Sequence, residues 1–160
     1  MPRGLQPLPG DTEPRIHIPT SGTFYEAALQ GLVKLNEQII ESAEAVGRPL
    51  PRLYDAGVVY KRESRDSWRH ALDLVLSGWG DCEDLAAFRV ADLHTSGEDP
   101  DAHVYVYRSG PKSYHAVVGL GDGTIEDPSY LLGMRVPRGW RPLQFVGQTR
   151  YNPGKRTKNA

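Results

Sequence analysis

The alternation of apolar and polar residues divides the chain into a helical first part and a strand-rich second part. Between residues 24 and 46, apolar side chains recur at steps of three and four, which predicts an amphipathic helix of about two dozen residues. Ser21 or Thr23 can cap its start, and Gly47 followed by Pro49 predicts its end. This pattern indicates a helix that packs against the rest of the domain.

Two shorter helices are expected after a segment at residues 53–60 that favours no single structure. The first can be capped by Asp66 and ended by Gly78. Its apolar stripe consists of Trp68, Ala71, Leu72 and Val75. The second helix runs from residue 82 to about residue 94, with Asp81 as its N-cap. Small apolar residues on most of its faces predict a central helix that other elements approach closely.

Beyond the third helix the period of the apolar residues changes to two, as expected for strands. Residues 103–107 and 114–120 are predicted strands, and Gly121-Asp-Gly123 predicts a hairpin turn that leads into residues 124–127. An edge strand is expected at residues 143–146. Helices followed by an antiparallel sheet predict the α+β fold class.

The two ends of the chain differ in composition from the domain between them. Residues 1–22 contain prolines at a spacing that excludes a helix, because each proline removes a backbone donor and restricts the residue before it. We therefore expect an extended Pro-rich arm. Residues 151–160 are polar and basic, and a solvated tail is favoured there over a nucleic-acid-binding one. The predicted single domain thus spans residues 23–150.

Composition narrows the classes of partner. The 19 basic and 20 acidic side chains leave a formal charge of −1, which favours neither a nucleic-acid partner nor a membrane partner. No apolar run approaches the roughly 18–20 residues of a membrane span. One cysteine excludes a disulfide framework and a cysteine-rich zinc site. We therefore expect a soluble cytoplasmic protein.

Three residues of the predicted domain form a pattern typical of nucleophilic catalysis. Cys82 stands at the predicted start of a helix, where partial positive charge stabilises a thiolate and lowers the thiol pKa. A tight hairpin near Gly121 would place His115 and Asp127 nearly opposite each other on one face of the sheet. A carboxylate beside an imidazole fixes its tautomer and stabilises the imidazolium, as nucleophilic triads require.

Each of these residues also has a structural interpretation. A lone intracellular cysteine is most often a small buried hydrophobe, and a lone histidine on a strand most often belongs to the packing. Asp127 precedes Pro128 and can initiate a turn. Catalysis is favoured because three compatible positions occur together. His103, which also begins a predicted strand, is the second candidate for the base.

The segments around this triad resemble the transglutaminase-like cysteine peptidase superfamily. The similar segments are Gly80-Asp81-Cys82-Glu83-Asp84-Leu85-Ala86 for the nucleophile, Tyr114-His115-Ala116-Val117-Val118 for the histidine strand and Ile125-Glu126-Asp127-Pro128 for the aspartate strand. The resemblance spans residues 53–134 and is closest to the bacterial transglutaminase-like cysteine proteinases, including small members encoded by tailed bacteriophages. It implies a papain-like fold in which the helix carrying Cys82 packs on an antiparallel sheet.

Two further sets of residues complete the expected site. The backbone N–H of Cys82 is one oxyanion donor, and the Trp79 indole or the Tyr60 hydroxyl is a candidate for the second. Negative charge surrounds the thiol and opposes its ionisation. It comes from Asp81, Glu83 and Asp84. These acids either cap the helix, which is favoured, or bind a cation; by resemblance, bacterial relatives use the acids flanking the cysteine for calcium.

The predicted function is a cysteine-dependent amide hydrolase, with proteolysis favoured over acyl transfer. Cys82 attacks the carbonyl, His115 transfers the proton and Asp127 orients His115. The expected substrate is a protein or peptide, with phage structural proteins or a host protein as candidates. No cofactor is required, and calcium is a candidate ligand. The competing interpretation is a non-catalytic phage assembly protein that retains the fold, located in the host cytoplasm or on the virion.

Overall fold

Helices come first along the chain and an antiparallel sheet follows, as the apolar pattern predicts. The computed structural model describes residues 22–64, 67–110 and 113–136, with side chains from residue 25 onward. The helices are α1 (Gly22–Ala45), α2 (Ala71–Ser77), α3 (Cys82–Ser96) and α4 (Pro128–Leu131), and a 3₁₀ turn spans Leu53–Asp55. The strands are β1 (Val59–Tyr60), β2 (Trp79–Gly80), β3 (His103–Gly110), β4 (Ser113–Gly119) and β5 (Ile125–Glu126). The fold class is therefore α+β.

Two sheets are present in the described residues. β3, β4 and β5 form an antiparallel sheet in that order, with Tyr107 opposite His115 and Val118 opposite Glu126. β1 and β2 form a parallel pair, which the sequence did not predict, because two-residue strands are too short to show a period. The expected strand at residues 143–146 lies outside the described residues, as do the tail and nearly all of the Pro-rich arm.

The start of α2 differs from the prediction. The helix begins at Ala71, and the Nδ1 atom of its N-cap His70 accepts a hydrogen bond from the backbone N–H of Asp73 at 3.3 Å. Trp68 lies before the helix, and Asp66, the predicted cap, lies outside the described residues. The end is as predicted, with Gly78 at a φ of 77°.

Helix α3 lies at the centre of the domain, as its small apolar residues predict. One side packs into a cluster shared with α1 and the three-stranded sheet. Leu85 and Phe88, both fully buried, pack on another side against the 3₁₀ turn and α2. Because α3 has partners on several sides, its N-terminus is held firmly relative to β4. None of the helices in the described part of the chain has the length and apolar character that crossing a membrane requires.

Asp92 ties the 3₁₀ turn to α3 and makes stability depend on pH. Its buried carboxylate accepts a hydrogen bond from the backbone N–H of Leu53 at 2.7 Å. Burial raises the pKa of Asp92 to about 6. Because this folded-state pKa lies above that of the unfolded chain, the stability associated with Asp92 is full at about pH 4 and is lost as the pH rises through about 6.

We expect Asp92→Asn to remove this loss, because an amide oxygen can still accept from Leu53 but carries no charge. As the pH rises from 4 to 7, the free energy of unfolding of the variant should increase by on the order of 1–3 kcal/mol relative to that of the wild type. Urea unfolding across this range measures the difference. Asp55→Asn, which removes an exposed carboxylate in the same 3₁₀ turn, is the matched control. Its stability should depend on pH in the same way as that of the wild type. Equal pH dependence in all three proteins would contradict the raised pKa.

Candidate active site

Cys82 is the first residue of α3, as predicted, and a capping box fixes the turn that carries it. Asp81 is the N-cap, and the Asp84 carboxylate accepts a hydrogen bond from the Asp81 backbone N–H at 3.3 Å. Gly80 allows the close approach of β2 to this turn. A Cβ atom on Gly80 would lie 2.4 Å from Leu74 Cδ2 and 3.2 Å from Asp84 Cβ, so a larger residue would displace the nucleophile segment.

Cys82 is partly exposed as a residue, and its thiol has two polar neighbours. It donates a hydrogen bond to Glu83 Oε2 at 3.1 Å, and the backbone N–H of Ala116 on β4 donates towards the sulfur. Burial, followed by the negative charge of Glu83, raises the pKa of the thiol well above its ordinary value. The expectation of a lowered thiol pKa is therefore wrong for these surroundings, because desolvation and Glu83 outweigh the helix terminus.

Glu83 is itself held by a residue from α1. The hydroxyl of Tyr25 donates to Glu83 Oε1, and the Tyr25 ring lies edge-on to Trp68 and stacks on Tyr114, with centroid distances of 5.8 and 6.1 Å. Burial opposes ionisation of Glu83, but hydrogen bonds from Asp81, Tyr25 and Cys82 hold its pKa below the ordinary value. An ionised carboxylate therefore lies directly beside the nucleophile.

Asp81 and Asp84 form the capping box, which agrees with the favoured expectation, although both are buried. Glu83 instead faces the thiol, so capping does not account for all three acids. Burial and the neighbouring charge of Glu83 raise the pKa of Asp81 to about 9. Burial raises the pKa of Asp84 to about 6, and Asp84 also accepts the backbone N–H of Arg69 at 2.7 Å. Within the described ranges, no three His, Cys, Asp or Glu side chains are grouped so that they could hold a metal ion. Calcium binding stays a prediction.

His115 and Asp127 meet as predicted. His115 Nε2 lies 2.9 Å from Asp127 Oδ2. The two residues are diagonal rather than directly opposite, because the β4–β5 pairing ends at Val118 and Glu126. Asp127 is also the N-cap of α4, and its Oδ1 accepts the Tyr130 backbone N–H at 3.2 Å. Two hydrogen bonds therefore fix the carboxylate that orients the imidazole.

The thiol approaches β4 at Ala116. β5 pairs only with Val118 and Gly119, so it does not cover β4 at Ala116, where the backbone N–H approaches Cys82. His115 precedes Ala116 on the same strand. Strand alternation places Ala116 on the face that packs with α3, while His115 and its cross-strand neighbour Tyr107 lie on the other face. Strand alternation therefore does not by itself direct the His115 side chain towards α3.

Tyr107 lies beside His115 and is affected by the charges of both Asp127 and Cys82. Its ring lies edge-on to His115 at 5.6 Å between centroids. Burial, followed by the charges of Asp127 and Cys82, raises the pKa of Tyr107. The Tyr107 hydroxyl is therefore within electrostatic reach of both Cys82 and Asp127. The expected thiol–imidazole separation of about 3–4 Å stays a prediction.

The two oxyanion candidates occupy different positions. Burial and the charge of Cys82 raise the pKa of Tyr60, which places its hydroxyl near the thiol. Two cations lie over the Trp79 indole, with Lys61 Nζ at 4.4 Å and Arg69 Cζ at 3.8 Å from the ring centroid. The effect of the Cys82 charge favours Tyr60 of the two candidates, and its role stays a prediction.

The rival histidine lies away from this site. His103 pairs with Gly119 at the far end of β3 from Tyr107, is exposed, and its Nδ1 lies 3.3 Å from the Asp101 carbonyl. His94 lies between Glu37 and the Ala102 carbonyl, at 2.5 and 2.7 Å. His17 is outside the described residues. Of the three predicted triad residues, the structure brings His115 and Asp127 into contact and places Ala116, the residue after His115, beside the Cys82 thiol.

A second group of residues at the site was not identified from the sequence. Glu126, on the opposite side of β5 from Asp127, accepts from Arg89 Nε at 2.6 Å and from the Tyr54 hydroxyl at 2.5 Å. Arg89 lies two turns along α3 from Cys82, so this ion pair joins β5 to the helix of the nucleophile. The only sequence signal is the i to i+7 spacing of Cys82 and Arg89.

Comparisons of the chain with models of protein families, with curated proteins and with solved structures gave no match. The functional assignment therefore rests on the residues and the geometry described above.

We expect Glu83→Gln to lower the pKa of the Cys82 thiol, because it removes the ionised neighbour. The pH at which alkylation by iodoacetamide is half-maximal should fall by about one unit. Mass spectrometry reports the rate without ambiguity, because Cys82 is the only cysteine in the chain. Glu44→Gln, on the exposed surface of α1, is the control. An unchanged profile in the Glu83 variant would contradict the electrostatic role of this carboxylate.

Proposed function

We propose that the protein is a cysteine-dependent amide hydrolase, acting as a peptidase, with a papain-like arrangement of a nucleophile helix on an antiparallel sheet. The observation that carries the proposal is the 2.9 Å pair of His115 and Asp127. His115 lies on β4, the strand whose Ala116 N–H approaches the Cys82 thiol. The resemblance to transglutaminase-like cysteine peptidases agrees with this order of residues.

The proposed reaction uses both ring nitrogens of His115. Nε2–H donates to Asp127, so Nδ1 is the atom that accepts the thiol proton. Because the resting thiol is neutral, proton transfer accompanies attack of the sulfur on the carbonyl carbon. The imidazolium returns the proton to the leaving amine, and an acyl-enzyme forms. Water, deprotonated by His115, then releases the acid and the thiol.

Negative charge on the tetrahedral intermediate needs donors. The backbone N–H of Cys82, at the start of α3, is the first, and the Tyr60 hydroxyl is the proposed second. The proposed substrate is a protein or peptide, with a phage structural protein as the leading candidate. The proposed place of action is the host cytoplasm or the virion.

A non-catalytic assembly protein is the second candidate function. The observation in its favour is the raised pKa of the Cys82 thiol together with its hydrogen bond to Glu83. Such a thiol is a weak nucleophile at neutral pH. In this case the fold would serve contacts between proteins rather than chemistry.

One experiment separates the two candidates. The wild type and a Cys82→Ala variant are incubated with candidate phage structural proteins, with and without calcium, and the mixtures are analysed by mass spectrometry. Cleavage by the wild type alone supports the hydrolase. A correctly folded wild type that cleaves none of them, and that an active-site-directed thiol probe does not label, would favour the assembly protein.

A further inference from the structure

A cluster of cations lies beside the nucleophile segment and has no part in the proposed reaction. Lys61 and Arg69 lie on the Trp79 indole at 4.4 and 3.8 Å, and Arg62 follows Lys61. We call these three residues the cationic rim. Two like charges on one indole repel each other, so the arrangement favours anions nearby, and Glu63 supplies one only for Arg69.

Backbone hydrogen bonds hold the rim against the residues that carry Cys82. The Lys61 N–H donates to the Gly80 carbonyl at 2.8 Å, two residues before the nucleophile. The Arg69 N–H donates to Asp84 Oδ1 at 2.7 Å, two residues after it. The rim is therefore attached to both sides of the nucleophile and would move with it.

The charges of the rim are incompletely compensated. Arg69 pairs with Glu63 at 2.7 Å. Lys61 and Arg62 are exposed, and neither has a carboxylate within ion-pair distance in the described part of the chain. The acids of the first turn of α3 do not lie on this surface, because Asp81, Glu83 and Asp84 are all buried.

The rim also lies close enough to affect the site. The hydroxyl of Tyr60 is subject to the charges of both Cys82 and Arg62. Tyr60 pairs with Gly80 in the β1–β2 sheet, so the residues after Tyr60 run beside the nucleophile segment. A group bound at the rim would therefore be next to the amide that Cys82 attacks.

We infer that Lys61, Arg62 and Arg69 bind an anionic side chain of the substrate, an Asp or Glu close to the scissile amide. This inference rests on the proposed hydrolase, because only an enzyme has a substrate. The attraction of anions by the rim does not depend on that proposal. A carboxylate that reached the Lys61 ammonium would gain a charge-assisted hydrogen bond, and the exposed charge of Arg62 would add to the attraction. The Trp79 indole gives the cations a rigid platform, which limits the entropy lost on binding.

The test uses two methanethiosulfonate reagents of similar size, one with an anionic sulfonatoethyl group and one with a cationic trimethylammonioethyl group. In both, the Cys82 thiolate attacks the sulfenyl sulfur, a mixed disulfide forms and methanesulfinate leaves. The readout is the ratio of the anionic to the cationic rate constant, followed by mass spectrometry at low ionic strength. Both reagents need the same thiolate, so a change in the thiol pKa cancels from the ratio.

The doubly reversed variant, Lys61→Glu with Arg62→Glu, should lower this ratio at least tenfold relative to the wild type. The neutral variant, Lys61→Gln with Arg62→Gln, should give an intermediate ratio. It shows whether the effect of the reversed variant comes from charge rather than from a folding defect. Arg48→Glu, an exposed charge reversal beyond the end of α1, should leave the ratio unchanged. High salt should bring all ratios together. A ratio in the reversed variant equal to that of Arg48→Glu would overturn the inference.

A second arm concerns the substrate itself. A set of short peptides that differ only in carrying Glu, Gln or Lys at each position is incubated with the wild type and the reversed variant. Faster cleavage next to Glu by the wild type, and a preference for Lys in the variant, is expected. Cleavage without charge preference would overturn the rim as a specificity element. No cleavage of any peptide, with a changed reagent ratio, would count against the hydrolase and leave the anion-binding rim standing.

Discussion

His115→Ala should lower Cys82-dependent cleavage by about 1,000-fold, because the thiol is neutral at rest and needs a base to take its proton. Asp127→Asn should cost less, since Asp127 positions and stabilises the ring without accepting the thiol proton. The measurement is kcat/KM on a substrate found by the cleavage screen, from pH 5 to 9. The loss should appear mainly in kcat.

His103→Ala is the matched control, because it removes a histidine from the same sheet at a position away from the thiol. It should retain nearly full activity. If the His103 variant were inactive and the His115 variant active, the base would be misassigned. If both retained full activity while Cys82→Ala abolished it, Glu83, which accepts the thiol hydrogen bond at 3.1 Å, would be the base to test next.

Phe88→Ala should lower the free energy of unfolding by about 3–5 kcal/mol. Phe88 is fully buried on α3, among Leu53, Leu74 and Leu85, and its loss would leave a cavity on one side of that helix. Denaturant unfolding monitored by circular dichroism measures the change. The effect is large because a domain of this size has only about 5–15 kcal/mol of stability in total.

Leu76→Ala is the control for Phe88→Ala. Leu76 lies on the outer face of α2 and is 76% exposed, so its truncation should change stability by no more than about 0.5 kcal/mol. A similar loss in the two variants would mean that α3 is not the centre of the core.

Long periodic segments were predictable from the sequence, and short ones were not. The pattern from residue 24 to residue 46 places α1 to within a few residues, and Asp81 and Gly78 mark the boundaries of α3 and α2. The parallel pair of β1 and β2 depends on contacts between segments, such as the hydrogen bond from the Val59 N–H to the Gly78 carbonyl at 3.0 Å. No local pattern encodes such a contact.

The candidate site was likewise predictable from the sequence only in part. The order of Cys82, His115 and Asp127 and the hairpin between the last two were sufficient to predict the His115–Asp127 pair. The state of the thiol was not predictable, because it depends on how deeply the helix start is buried and on which way Glu83 points. That direction is set by Tyr25, which comes from a helix far away in the sequence.

The two carboxylates at the end of β5 have a consequence for how the hairpin tolerates change. Glu126 meets Arg89 on one side, and Asp127 meets His115 on the other. A deletion of one residue in the turn before β5 would move Asp127 into the place of Glu126, so Arg89 would still meet a carboxylate, but Pro128 would move into the place of Asp127 and leave His115 without one. The shift would also move Pro128 away from the first position of α4, which suits its fixed backbone. Natural or engineered variation in this turn should therefore conserve its length more strictly than its sequence.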